Sequence, residues 1–321
     1  MREAAIVSQP NPLQRIPGVA MVLVLLIALF GAIAPGFLSV ANLSNVLVQS
    51  TILTMLALPM TLIIMTEGLD LSMGAVLTLA SIALAITTIA TGSIALALAA
   101  ALAVGLGFGL LNGVLVAALD IPPFITTLGT LGIAQGLSLV ATDGQSVVGI
   151  PRGLQQVYGG TFGGVPIPII IGVLAFAAFY LLLYRTRFGS YIFALGGNRE
   201  ALKLAGVPDR TVLIATYAVG GAMAGFAALL MTARMNSAHP TAGIGLEFDA
   251  IAAVAVGGTS FERGNGWLTG TLLGVLVVGV LKNGLNVMEV HNALQVASIG
   301  LLVIVALLID SIRADSIRGR A

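Results

Sequence analysis

The sequence predicts an all-α integral membrane protein of about ten transmembrane helices, and three observations predict it. The chain of 321 residues is 58% hydrophobic and only 8% charged, whereas a soluble globular domain carries about a quarter charged residues. The apolar residues come in runs of about 20, the length of a bilayer-crossing helix, without the strict alternation of barrel strands. Forty glycines against twelve phenylalanines predict helices whose backbones approach closely.

Taken in order, the candidate spans cover about 17–34, 43–66, 71–91, 94–118, 123–142, 165–184, 211–234, 248–260, 266–286 and 292–310. Pro35, Pro122, Pro123, Pro166, Pro168 and Pro208 lie at or near span ends, where a missing N–H is tolerated. Two spans are irregular. The second begins with polar residues, including Asn42, Asn45 and Gln49, and the eighth is short; both are candidates for broken or re-entrant helices.

Lys and Arg placement sets the orientation. With the N-terminus inside and ten crossings, eleven of the fourteen basic residues fall on the cytoplasmic side. Arg152, Arg234 and Lys282 fall outside or near the outer ends. Both termini are then cytoplasmic. Residues 1–16 form an N-terminal cytoplasmic segment, 17–310 the transmembrane domain with a cytoplasmic loop at 184–210, and 311–321 a cytoplasmic tail. Pro10, Pro12 and Pro17 precede the first apolar run and no small-x-small cleavage site follows it, so no cleavable signal peptide is expected.

Composition also excludes functions. A net charge of +1 provides no field for nucleic acid. The absence of cysteine removes disulfides, thiolate metal sites and Cys nucleophiles. His239 precedes a proline and His291 lies near a span end; neither has a second ligand at helical spacing, so no metal site or Ser/His/Asp arrangement is expected.

Gly68-Leu69-Asp70-Leu71-Ser72 opens the third span and Gly245-Leu246-Glu247-Phe248-Asp249 the eighth. Leu110-Leu111-Asn112-Gly113 in the fourth echoes Leu281-Lys282-Asn283-Gly284 in the ninth. Corresponding spans are five apart, so the halves form a possible 5+5 inverted repeat with short or broken helices, a transporter pattern; chance similarity of glycine-rich segments is the alternative. Gly105, Gly109 and Gly113, Gly221 with Gly225, and Gly270 with Gly274 form small-residue ridges for helix packing. Gly257 to Gly266 resembles a phosphate loop but lacks the Lys-Ser/Thr that follows the glycines. It is expected to be a tight cytoplasmic turn with Glu262 and Arg263 in solvent.

Asp70 and Ser72 either cap the third span at the interface or face a gate or subunit contact. Glu247 and Asp249 stand in the same relation to the opposite face. Asn45, Gln49, Asn112 and Asn283 are neutral polar residues inside spans. They suit a pathway for an uncharged polyhydroxylated solute, or interhelical hydrogen bonds.

Tyr184 to Arg210 is the longest clearly polar stretch, with five basic residues. Arg199 to Ala205 reads as a short helix, with Asn198 as N-cap, Glu200 in the first turn and Gly206 and Pro208 after it. A short helix held between two spans transmits any push it receives.

Gly196-Gly197-Asn198-x-Glu200-Ala201, followed by Gly206, resembles the coupling loop of ABC-importer permeases of the ribose/xylose/galactose type. Supporting blocks are Glu67-Gly68-Leu69-Asp70-Leu71-Ser72-Met73-Gly74, Asn112-Gly113, Pro123-Phe124-Ile125-Thr126-Thr127-Leu128-Gly129-Thr130 and Pro240-Thr241-Ala242-Gly243. Asp249 to Val254 with Gly257-Gly258-Thr259-Ser260, and Asn283-Gly284-Leu285-Asn286, complete an ordered set over 17–310. Where that family has Glu-Ala-Ala-x-x-x-Gly, this chain has Leu202 at the second Ala.

The resemblance implies a non-enzymatic permease subunit in the bacterial cytoplasmic membrane. Asn198, Arg199, Glu200, Ala201, Lys203 and Gly206 would receive a cytoplasmic ABC ATPase, which binds the ATP and Mg. An extracytoplasmic binding protein would deliver a monosaccharide, and a second permease copy or paralogue would complete the pore. Asn45, Gln49, Asp70, Ser72, Asn112, Asp249 and Asn283 are the candidate pathway or gating residues. The alternatives are the same role for a nucleoside, a furanone signal or a branched-chain amino acid, a stand-alone secondary transporter, or an intramembrane enzyme, for which no catalytic constellation is found. The acids cluster at span ends, which speaks against the secondary transporter.

Overall fold

The computed structural model describes residues 16–260 and 264–318. The expectations for the N-terminal segment, for Glu262 and Arg263, and for the last three residues lie outside the described residues. Among the described residues the chain's regular elements are helices and one two-stranded hairpin. Its elements are α1 (Ile16–Ile33), α2 (Val40–Met65), α3 (Met73–Thr91), α4 (Ile94–Ala117), α5 (Pro123–Thr142), α6 (Arg152–Gly159), β1 (Thr161–Phe162), β2 (Val165–Pro166), α7 (Ile167–Arg185), α8 (Arg187–Gly197), α9 (Arg199–Leu204), α10 (Asp209–Met235), α11 (Leu246–Val256), α12 (Leu268–Val287) and α13 (Asn292–Arg318). Among the described residues, α2, α3, α4, α5, α7, α10 and α12 are long and apolar enough to cross a membrane. Gly18–Ile33 and Asn292–Val305 are shorter apolar stretches.

Local chemistry explains the boundaries. Ser39 Oγ accepts the N–H of Asn42 at 3.3 Å, and the Asn42 amide donates to the Phe37 carbonyl at 2.9 Å. The polar start of the second span is therefore a capped helix start, and α2 runs unbroken. Gly92, at φ +69°, ends α3, and Ser93 caps α4 by accepting from Leu96 N–H. The eighth span is a different case: α11 has 11 residues, about 17 Å of helix, too short to cross. It also starts and stops earlier than the predicted 248–260. Three elements were not foreseen: α6, the hairpin, and α8 inside the polar loop. α13 continues as one helix through the residues expected to begin a tail.

The helix α2 forms the interior; every residue from Ser50 to Met65 is buried, as befits a helix apolar all round. α10 packs along α4 and also touches α2, α3 and α6, while α12 joins α2, α11 and α1. The glycine ridges carry these contacts. The backbones of Gly221 and Gly225 occupy the space a Cβ on Gly105 would need, and Ile214 Cα lies 2.8 Å from a Cβ position on Gly113. Gly270 and Gly274 meet Gly257, the residue that ends α11, and Ala253 of α11 in the same way. Glycine is what lets each pair of backbones close together.

One placement corrects the sequence-based expectation. The Asp70 and Glu247 segments were assigned to opposite membrane faces. In the structure α3 and α11 begin side by side: the Glu247 carboxylate and the Gly243 carbonyl fill the Cβ space of Gly74, and the Gly243 N–H donates to Thr78 Oγ1 at 2.9 Å. The start of α11 lies inside the fold, with Glu247 and Asp249 both buried.

Candidate functional site

The polar segment between α7 and α10 is a two-helix platform. Thr186 breaks from α7 in extended backbone and caps α8. Ile192, Leu195 and Gly196 form the buried side of α8. Gly196 lies against the carbonyl of Met65, the last residue of α2, and 2.6 Å separates its Cβ position from Gly264 Cα. A side chain at 196 would push the platform off the end of α2.

Asn198 Oδ1 accepts the Ala201 N–H at 2.9 Å, the N-cap expected from sequence. Gly206, at φ +76°, turns the chain out of α9. Arg199 Nε donates to Asp209 Oδ2 at 2.7 Å, joining α9 to the first residue of α10. Leu202 anchors the helix inward. Ala201, Lys203 and Leu204 face outward, Leu204 with 90% of its surface exposed. The Glu200 side chain is 79% exposed and takes a 3.1 Å bond from Lys203 Nζ. The platform thus presents a carboxylate and a bare leucine on a helix strapped at both ends. A cavity of ≈ 200 Å³ lies behind it, lined by Thr66, Glu67, Asp120, Leu195 and Arg199 among others.

The other candidates do not form one site. Asp70, Ser72 and Asn112 belong to a buried chain of hydrogen bonds. Asp70 Oδ1 accepts both the N–H and the hydroxyl of Ser72, at 2.9 and 2.6 Å. Asn112 Nδ2 donates to Ser72 Oγ at 2.9 Å, and Thr130 Oγ1 donates to Asn112 Oδ1 at 2.7 Å. Ser72 occupies the N-cap position of α3 but makes no capping bond with its side chain. Its hydroxyl instead links the start of α3 to α4 and α5. Thr130 was missed as a site residue, although it stands in the quoted Pro123 to Thr130 block.

Asn283 forms a reciprocal amide pair with Asn42, at 2.8 and 3.1 Å, joining α12 to α2. Asn45 is exposed on α2, one turn after Asn42.

Gln49 and Asp249 line a second cavity of ≈ 290 Å³ between α2, α10, α11, α12 and the start of α13, with Ser50, Arg234, Lys282 and Asn286. Lys282 Nζ donates to Asp249 Oδ2. Ser50 Oγ is buried and has no hydrogen-bond partner. Ser50, Arg234 and Lys282 were missed as site residues. A lysine in an apolar run was the available signal, because such a charge needs a partner or a cavity. Asp70, Glu247 and Asp249 are all buried; Asp70 stands just before α3, and Glu247 and Asp249 in the first turn of α11.

The sequence from α2 into α13 also matches known proteins. A family model described as "Branched-chain amino acid transport system / permease component" matches residues 42–307. The ribose import permease protein RbsC of Bacillus subtilis (strain 168) is 40% identical over 290 residues, covering 90% of each chain. The chain belongs to the ABC import-permease family. The RbsC protein of Escherichia coli (strain K12) is 40% identical over 297 residues, covering 90% of this permease and 91% of the relative. The D-allose transport system permease protein AlsC of Escherichia coli (strain K12) is 33% identical over 295 residues, with 91% and 90% covered. No solved structure gives a significant match. The permease is a multi-pass membrane transport subunit, not itself an enzyme.

Proposed function

We propose that this permease forms the translocation pathway of an ATP-driven monosaccharide importer in the bacterial cytoplasmic membrane. The observation that carries the proposal is 40% identity to ribose import permeases over nine-tenths of both chains. A cytoplasmic ABC ATPase, holding ATP and Mg, docks on α9 around Glu200 and Leu204. An extracytoplasmic binding protein delivers the sugar, and a second permease copy or paralogue completes the pore.

Ten spans with both termini cytoplasmic accompany this proposal, with α1 and α13 as shorter members and α11, too short to cross by itself, completing a broken eighth span together with the non-helical residues before it. Charge distribution supports the orientation. Arg199 shares one end of the fold with Asp120 and Thr66, while Arg234 and Lys282 share the other. Gln155, on the same helix as Arg152, donates to Asn236 beside that second end at 2.6 Å. The meeting of α3 and α11 at their starts supports a 5+5 inverted repeat, whose related segments lie at the repeat interface.

The test is uptake into proteoliposomes carrying the permease, its ATPase and its binding protein. ATP-dependent accumulation of D-ribose or D-allose is expected, without competition by leucine. Accumulation of leucine alone would move the chain to the amino-acid branch that the family description names. Uptake by the permease alone, driven by an ion gradient, would replace the ATP-driven mechanism.

A further inference from the structure

We infer that the non-helical stretch from Pro240 to Gly245 and the first turn of α11 line the translocation pathway midway across the membrane, with Ile244 and Phe248 as its apolar gate; the inference rests on the import function proposed above. Depth follows from the anchoring contacts. Gly257, which ends α11, packs on Gly270 near the start of α12. The first N–H of α12, on Leu268, donates to Tyr184 Oη at 3.2 Å, beside Arg185 at the end of α7 that the proposed orientation puts inside. From there the 11 residues of α11 rise about 17 Å, roughly half of a hydrocarbon core of about 30 Å. The chain covers the other half without a helix. After α10 ends at Met235, Ala238 pairs with Val147, the Pro240 carbonyl accepts from Gln135 Nε2 at 2.8 Å, and the Gly243 N–H reaches Thr78 Oγ1.

Irregular backbone at this depth cannot face lipid, which offers no hydrogen bonds; it is either covered by protein or lines water. Here it is open. The carbonyls of Ala242 and Ile244 accept no hydrogen bond among the described residues, and Thr241 is exposed. Ile244 and Phe248 are 58% and 54% exposed, although every residue from Asp249 to Val254 is buried. Helix α11 is thus enclosed along its length and open at its start, so the open surface is the floor of a space above a half-length helix. An apolar span of a second copy laid over it would leave both carbonyls without donors, so water is the occupant the backbone requires. Unwound carbonyls at the middle of a transporter are suited to meeting a passing solute. Two large apolar side chains beside them form a constriction that water leaves when no solute is present.

The experiment uses the fact that the chain has no cysteine of its own. Thr241→Cys, Ile244→Cys and Phe248→Cys are introduced singly into the complete importer in proteoliposomes, with Leu174→Cys, 63% exposed on the span α7, as the control. A charged, membrane-impermeant methanethiosulfonate is applied to both faces, and modification is read on the permease chain by mass. The three pathway positions are expected to react about tenfold faster than the control or more, because a thiol must be hydrated to ionise and attack. Rates at Ile244→Cys and Phe248→Cys no higher than at Leu174→Cys overturn the inference, because lipid or a second copy then covers this surface. The gate has its own readout. Phe248→Ala is expected to let preloaded D-ribose escape without ATP, while Phe248→Leu keeps the vesicles tight, and thermal unfolding verifies that both variants fold. A folded Phe248→Ala importer that retains its sugar overturns the gate. ATP-driven uptake by the wild-type importer is measured in parallel. Uptake without labelling of the three cysteines sinks this pathway and leaves the import function standing, whereas absence of uptake sinks the import function and this inference with it.

Discussion

Arg199 and Asp209 tie the exposed helix α9 to the first residue of α10 through a 2.7 Å hydrogen-bonded ion pair. Asp209 is buried while the Arg199 side chain is 37% exposed, so the guanidinium acts as a strut from the surface to the head of a long interior helix. This pair joins α9 to α10, and Gly196 of the adjoining α8 rests on Met65 at the end of α2; a push on α9 is expected to reach both long helices by these contacts.

Cutting the strut separates mechanics from stability. Arg199→Ala is expected to lower ATP-driven uptake about fivefold or more. Loss of a partly exposed pair shifts stability by only about 1 kcal/mol or less. Uptake per ATP hydrolysed, read beside thermal unfolding, makes the distinction; a large stability loss with unchanged coupling would refute the strut.

Charge reversal at Glu200 tests the docking face. The side chain projects into solvent, so Glu200→Lys leaves folding intact, frees Lys203 and sets two like charges side by side. ATPase co-purification and uptake should both fall. Unchanged transport counts against α9 as the docking element.

Gly206 supplies a left-handed residue at φ +76°. A β-branched side chain there costs about 1–2 kcal/mol of backbone strain and frays α9. Gly206→Val should raise amide exchange over 199–205 and reduce uptake, while Gly206→Asn, which tolerates this conformation, should do less of both.

The α4–α10 contact gives a packing test with its own control. Gly109 faces the backbone of α10, whereas Gly107 has open space around it. Gly109→Leu is expected to cost at least about 1–3 kcal/mol and lower the melting temperature. Gly107→Leu should leave it nearly unchanged.

In the buried network, Thr130→Val leaves the Asn112 Oδ1 acceptor without its donor, at a cost of about 1–3 kcal/mol. Thr130→Ser keeps the hydroxyl and should restore most of the lost stability. Equal melting temperatures for both variants would show that the bond contributes nothing.

Much was legible in the sequence because its cause is local. Apolar runs, proline positions, the Asn198 cap and the Gly206 stop each depend on a few neighbouring residues and the bilayer's length requirement. Helix α8 escaped notice because its apolar face is short and lies within a cationic loop. Its docking depends on Gly196 reaching Met65, more than a hundred positions earlier in the chain.

The sequence by itself determined the membrane class, most helix positions, the ordered permease motifs and the cap and stop of the short helix α9. Tertiary structure alone decided that the polar candidates separate into an interior network, an interhelical amide pair and a cavity. It also decided that Glu247 comes to rest against Gly74. The physical reason is that a buried polar group must find its partner across helices, and which helices approach is settled where glycine ridges let backbones meet. Lys282 shows the difference: the sequence places a charge in an apolar helix, but only the close packing of α11 on α12 brings Asp249 to it.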